Sequence, residues 1–446
     1  MSTQVSPKKT WVRPIIRRQY MGSANKFGGF SAPDSITAID GVAIEQLREY
    51  GSPLFVFSEA TLRNKVQQLN QAFANRYPHF QAAWSYKTNY LDAICKVFHD
   101  EGSWAEVVSA FEYKKARANG IAANRIIFNG PYKPYAELKQ AVAEGALIHA
   151  DHLDELQDLE SIGKELGRVV EIAIRINLDT GMYPAWNRFG FNLESGQAMQ
   201  AVNRIAASPN LALIGLHCHI GTFMLDAAPY RRAATKMAEF WKNIEAKTTE
   251  RLRYIDMGGG FASRNKLKSQ YQAGNSVIPS FEEYAEAITA PLYEAFRSDQ
   301  LPQLFVETGR ALVDEAGFLV STVVGSKTMP DGKRFLVADA GVNLLYTSTW
   351  YDFKISPAKH YSGTLEDVTL CGPLCMNIDK VRENCLLPDM RRGDQVLIHP
   401  VGAYNVTQWM QFIEMRPAVV LIQTNGQVKV IREAESMETL KRQEQS

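Results

Sequence analysis

From residue 82 to about 309 the chain alternates short apolar runs with amphipathic ones, eight times over. The strand-like runs fall at 82–87, 104–109, 126–130, 147–151, 171–177, 212–219, 253–257 and 304–308. Helical patterns lie between them, among them Tyr90–Asp100, Phe111–Asn119, Tyr135–Glu144, Leu153–Leu166, Ala227–Ala246 and Phe281–Arg297. Strand–helix–strand units build parallel sheets, and eight of them in about 230 residues predict closure into an α/β architecture, the (β/α)8 TIM barrel. Most of the strand runs are continuously apolar, as strands covered on both faces must be.

The flanks break this pattern. Leu54-Phe55-Val56-Phe57-Ser58 reads as an extra strand ahead of the barrel. After residue 316 the runs become strands punctuated by turn signals: Pro330-Asp331-Gly332, Asp389 to Gly393, and Asn425-Gly426. The expected division is a barrel over 54–315 and a mostly-β C-terminal domain over 316–446, completed by residues 1–53. A chain of 446 residues exceeds one ordinary core, which agrees with two domains.

Several function classes fall away. The net charge of +1 gives no case for nucleic acid or an anionic membrane. No apolar run approaches the ~20 residues needed to span a bilayer. Lys8, Lys9, Arg13, Arg17 and Arg18 are followed by no apolar core, so the N-terminus reads as a loosely docked tail rather than a secretory leader. Five cysteines form no paired framework, which suits a reducing cytoplasm. Cys371-x-x-x-Cys375 lacks a second ligand pair, so no metal is expected.

Functional residues of such barrels gather at the C-terminal strand ends. Lys87 ends the first run, where a buried cation needs a partner or a task. Desolvation is expected to lower its pKa and free the amine as a nucleophile. Glu106 and Ser109 end the second run, and Arg175 lies on the fifth. His217-Cys218-His219-Ile220-Gly221-Thr222 ends the sixth, Asp256-Met257-Gly258-Gly259-Gly260 the seventh, and Glu307-Thr308-Gly309-Arg310 the eighth. Three glycines let a backbone approach an anion and aim N–H groups at it. A phosphate nest, a buried lysine and a carboxylate on the last strand together point to pyridoxal 5'-phosphate (PLP). The lysine would carry the cofactor, and the carboxylate would keep its pyridine nitrogen protonated.

On these segments, with Ser85-Tyr86-Lys87-Thr88-Asn89, Cys371-Gly372-Pro373-Leu374-Cys375 and Gly402-Ala403-Tyr404, the chain resembles the barrel-type (fold type III, alanine racemase-like) PLP-dependent decarboxylases. The resemblance spans roughly residues 40 to 420. It is nearest the diaminopimelate branch at Ile39-Asp40-Gly41-Val42 and Tyr50-Gly51-Ser52-Pro53-Leu54. It implies that Lys87 binds PLP, His219 stacks on the ring, and Thr222 neighbours the cofactor. It implies that Gly258, Gly259, Gly260, Arg310 and Tyr404 hold the phosphate, while Glu307 pairs with the pyridine nitrogen and Arg175 supports that cluster. It also implies a homodimer with shared active sites, in which Cys375 reaches across to the neighbouring subunit.

Two departures concern the substrate. Met376 stands where the diaminopimelate enzymes carry an acid after the cysteine. Leu344-Leu345-Tyr346-Thr347-Ser348-Thr349-Trp350 offers no arginine where they hold a distal carboxylate. Met376, Trp350 and Arg310 are therefore the expected substrate contacts. The expected activity is α-decarboxylation of an amino acid or amino-acid derivative, such as a diamino acid or a substrate of siderophore or antibiotic synthesis. A PLP-dependent racemase is the second reading, from Asp179-Thr180-Gly181-Met182 and Asn187-Arg188-Phe189-Gly190. A metal-dependent barrel hydrolase using His217 and His219 is the third, and a catalytically silent binding protein the fourth.

Overall fold

The computed structural model describes residues 34–268, 277–362 and 365–444; the basic N-terminal tail lies outside them. Eight parallel strands form the barrel: β1 (Phe80–Ser85), β2 (Trp104–Val107), β3 (Ile126–Phe128), β4 (Leu147–Ala150), β5 (Val170–Asn177), β6 (Leu211–Cys218), β7 (Tyr254–Asp256) and β8 (Gln303–Val306). Each pairs with the next, and β8 returns to β1 with Leu304, Phe305 and Val306 opposite Phe80, Gln81 and Ala82. The barrel is closed, as the eightfold alternation predicts.

The helices form where the apolar spacing serves one face. In Glu59–Ala74, Ser58 caps the start by accepting the Thr61 N–H. Leu62, Val66, Leu69 and Phe73 then form the buried stripe. Inside the barrel, Ala83, Ile127, Ala173, Ile214, Tyr254 and Phe305 make a separate apolar cluster, with Trp104 and Leu147 packed against it. Side chains two residues further along a strand point the same way. The next layer up is therefore Ser85, Glu106, Asn129, His149, Arg175, Asp256 and Glu307. A register shift between Leu213 and Gly215 brings His217 opposite both Arg175 and Asp256. The barrel has an apolar floor and a polar layer above it.

One boundary differs from the expected division. Leu54–Ser58 hydrogen-bonds to no barrel strand. It runs antiparallel to Gly317–Thr328 and parallel to Val419–Ile422 in the sheet of the β domain. The cause is its doubly apolar character: Phe55 and Phe57 face the large core shared with the barrel, while Leu54 and Val56 face the β-domain core. Ile39, Val42, Ile44 and Leu47 pack into that second core; residues 1–33 of the expected segment lie outside the described residues. Among the described residues no helix is long and apolar enough to cross a membrane.

Candidate active site

Lys87 sits in a short 3-10 turn directly after β1. Its Nζ lies 2.8 and 3.0 Å from the two carboxylate oxygens of Glu106. Burial disfavours the ammonium, but the charges of Glu106, Tyr404 and Glu307 outweigh it and hold Lys87 above the ordinary lysine range. The expectation of a lysine depressed toward neutrality is thus reversed, because a fully buried carboxylate stands beside it. Glu106 is itself fixed by Ser85 Oγ, which donates at 2.5 Å, and by Asn129 Nδ2 at 3.2 Å.

Asn129 also donates at 2.5 Å to Glu307 Oε1, tying the strand-two and strand-eight carboxylates together. His217 Nε2 stands 3.3 Å from Glu307 Oε2. The His217 ring lies 4.8 Å from that of His149, whose Nε2 shares a hydrogen bond of 3.1 Å with Tyr254 OH. Burial, with Arg175 facing His217, holds His217 well below the ordinary histidine range. His219 is lowered for the same first reason. Its Nδ1 accepts the Gly259 N–H at 3.1 Å, which fixes its tautomer. Arg175 stacks on Phe189 at 4.6 Å and lies 4.0 Å from Asp151.

The three glycines are required by space. A Cβ on Gly258 would meet Cys218 O at 2.5 Å, one on Gly259 would meet Glu307 O at 2.5 Å, and one on Gly260 would collide with Gly221 O. Gly258 and Gly260 also have φ of +64° and +97°, which favour glycine. Two of the three N–H groups are already engaged: Gly258 donates to Asp256 and Gly259 to His219. Only the Gly260 N–H remains uncommitted among the described residues. The expected nest is thus narrower than a triple glycine implies.

Arg310 supplies what the glycines do not. It is 6% exposed, its Nη2 reaches Thr222 Oγ1 at 3.5 Å, and its Nη1 has no partner. Phe223, Tyr351 and Tyr404 surround the guanidinium with ring centroids 5.6, 5.4 and 4.6 Å away. A buried cation with an unpaired donor fits a phosphate. Above it opens a cavity of about 460 Å³ walled by Trp186, Phe223, Trp350 and Tyr351, with Gln408 and Thr222.

The structure therefore brings Lys87, Glu307, Arg310, Thr222, Tyr404 and Trp350 to one barrel mouth, with Arg175, His219 and the glycines around it. It does not bring Cys375 and Met376 there. Both lie in the loop between Glu366–Cys371 and Lys380–Leu387, and no contact among the described residues joins them to Lys87. Cys375 is exposed. Sequence reading gave no role to Asn129, His149 or Asp256. Their only signal was position, two residues beyond an inward apolar residue at a strand end.

A closed barrel whose mouth holds a strand-end lysine, a glycine turn and an unpaired buried arginine is built to hold a phosphorylated aldehyde cofactor such as PLP. The model of the pyridoxal-binding domain of pyridoxal-dependent decarboxylases matches residues 60–314, and the chain belongs to that family. The diaminopimelate decarboxylase of Archaeoglobus fulgidus is 29% identical over 419 residues, covering 91% of this chain and 96% of that protein. That of Bacillus subtilis is 28% identical over 423 residues, covering 90% and 93%. The crystal structure of diaminopimelate decarboxylase from M. jannaschii superposes with a TM-score of 0.85 at 27% identity, covering 93% of this chain and 97% of that one. The same enzyme in co-complex with L-lysine gives 0.84 at 28%, covering 92% and 96%. The chain is a PLP-dependent carboxy-lyase acting on an amino acid.

Proposed function

We propose that the substrate is an amino acid or amino-acid derivative whose far end differs from that of diaminopimelate. The observation that carries this is the lining of the cavity above Arg310. Its walls are mainly aromatic, Arg310 is its one charged residue among those described, and no carboxylate faces it. By the resemblance, Met376 stands where an acid would hold a distal ammonium, and Leu344 to Trp350 offers no arginine for a distal carboxylate.

Bound PLP supplies the electron sink that stabilises the charge left when carbon dioxide departs. The chain's own residues do the rest. Lys87 carries the cofactor, and Glu106 holds a proton at its Nζ. Arg310 Nη1 and the Gly260 N–H grip the phosphate, with Tyr404 and Thr222 beside them. His219 presents its ring face, locked by the Gly259 N–H. Glu307, held by Asn129, faces the pyridine nitrogen. Cys375 of a second copy closes the mouth and delivers the final proton, which makes the enzyme a homodimer with shared sites. Its free cysteines suit a cytoplasmic setting.

Carbon dioxide release from a panel of L- and D-amino acids and their amide conjugates tests the substrate half. meso-Diaminopimelate is expected to be poor. Each unmatched head group gives up water at roughly 2 kcal/mol or more, so two lower kcat/KM about a thousandfold. Efficient, meso-specific turnover of diaminopimelate would refute the substrate reading and leave the cofactor reading intact.

A further inference from the structure

Asp256 lies at the centre of the polar layer with no part in the roles above. It is wholly buried at the end of β7. Its Oδ1 accepts the Gly258 N–H at 2.8 Å, and its Oδ2 has no partner. One oxygen of Asp256, one of Glu307 and a ring nitrogen of each of His149 and His217 lie within 4.8 Å of one another.

That donor set does not favour a metal ion. Tetrahedral ligand atoms about 2.0–2.2 Å from a metal lie closer to one another than these extremes. Several of the residues are also spoken for: Tyr254 engages His149, Gly258 engages Asp256, and Asn129 engages Glu307. The cluster has the character of a proton-sharing pair.

The neighbours decide where the proton rests. The third acid of the layer, Glu106, has Lys87 at 2.8 Å, and Asp151 nearby has Arg175 at 4.0 Å. Neither Asp256 nor Glu307 has an ion pair with a lysine or arginine among the described residues; Lys87 and Arg175 act on Glu307 only at longer range. The histidines on β4 and β6 are held neutral by burial, and Tyr254 and Glu106 add no positive charge. Two carboxylates so close, with no cation paired to either, do not both ionise. Glu307 accepts from Asn129 Nδ2 at 2.5 Å and lies within electrostatic reach of Lys87 and Arg175, while the His217 ring 3.3 Å away makes no hydrogen bond to it. Asp256 has a single backbone N–H. Glu307 is thus the better home for the charge and Asp256 for the proton.

We propose that Asp256 is a positioning residue that carries the shared proton of an Asp256–Glu307 pair and thereby keeps Glu307 ionised and aimed at the pyridine nitrogen. This rests on the assignment of Glu307 to that nitrogen. Burial, reinforced by Glu307 and opposed by the Gly258 N–H, also pushes Asp256 well above the usual carboxylate range.

Infrared spectroscopy of the holoenzyme at neutral pH tests it. The wild type should show a protonated-carboxyl C=O band that Asp256→Asn removes, with visible absorbance confirming that PLP is bound. Asp256→Ala should lower kcat at least tenfold with KM little changed and shift the visible absorbance profile with pH. Asp256→Asn, which keeps a donor toward Glu307, should recover most of both; a residue that only caps the glycine turn would leave that profile unmoved. A wild-type spectrum without the band overturns the proposal. So does a band that survives Asp256→Asn and vanishes in Glu307→Gln. If Asp256→Asn fails to fold, the wild type and Glu307→Gln decide. Absence of any visible cofactor band from the wild type refutes instead the cofactor reading on which the assignment of Glu307 rests.

Discussion

Lys87 shows how a single neighbour reverses an expectation. Strand-end burial alone would deprive a lysine of its charge, but Glu106 at 2.8 Å retains it. In the proposed role the amine sheds that proton to bond with the cofactor, and Glu106, fixed by Ser85 and Asn129, stands beside it as the acceptor. Lys87→Ala is expected to abolish turnover and the borohydride-fixed adduct. Intact-mass analysis after reduction checks this, and reduced cofactor found on another lysine would remove Lys87 from its role. The place of this residue at the barrel mouth was legible in the sequence, because a lysine closing an apolar run is conspicuous. Its partner's role was hidden, because the two lie on different strands and meet only when the barrel closes.

The loop and helix that follow β2 carry a pH dependence of their own. Ser109 caps the helix Ala110–Ala118 by accepting the Glu112 N–H, while the Glu112 side chain accepts the Val108 N–H at 2.8 Å. Burial pushes Glu112 up to about 7, partly opposed by the Val108 N–H and reinforced by Glu106. A carboxyl raised on folding contributes stability that is complete below its unfolded pKa and lost as pH climbs through its folded one. A shift of that size is worth about 3 kcal/mol. The wild type should therefore lose more Tm between about pH 5 and about pH 8 than Glu112→Gln. Calorimetric scans at both pH values check this, and equal losses would show that Glu112 does not carry the effect. At this scale the sequence was most readable. All eight barrel strands were visible as apolar runs, and the glycine turn as a motif. The polar layer of Asn129, His149 and Asp256 was not, because a lone polar residue at a strand end looks the same whether it faces a cofactor or a loop. The apolar residue two positions earlier was the available clue.

For the molecule as a whole, the proposed shared site is tested through Cys375, which is exposed in the single chain. Mixing inactive Lys87→Ala with inactive Cys375→Ala should restore roughly a quarter of wild-type activity, since random pairing gives half the dimers one intact site. Size-exclusion chromatography with light scattering accompanies that test, and no recovery after proven subunit exchange would place the whole site in one chain. The extent of the β domain was the part of the architecture read least well. Leu54–Ser58 carries no mark of its partners, which lie hundreds of positions downstream at Gly317–Thr328 and Val419–Ile422. That pairing has a consequence for how the protein is made. The strand leaves the ribosome before the barrel, and its parallel partner leaves after it. For most of the synthesis of residues 59–418 an apolar five-residue ribbon waits without its parallel partner, and the emergence of Val419–Ile422, not the completion of the catalytic barrel, ends that exposure.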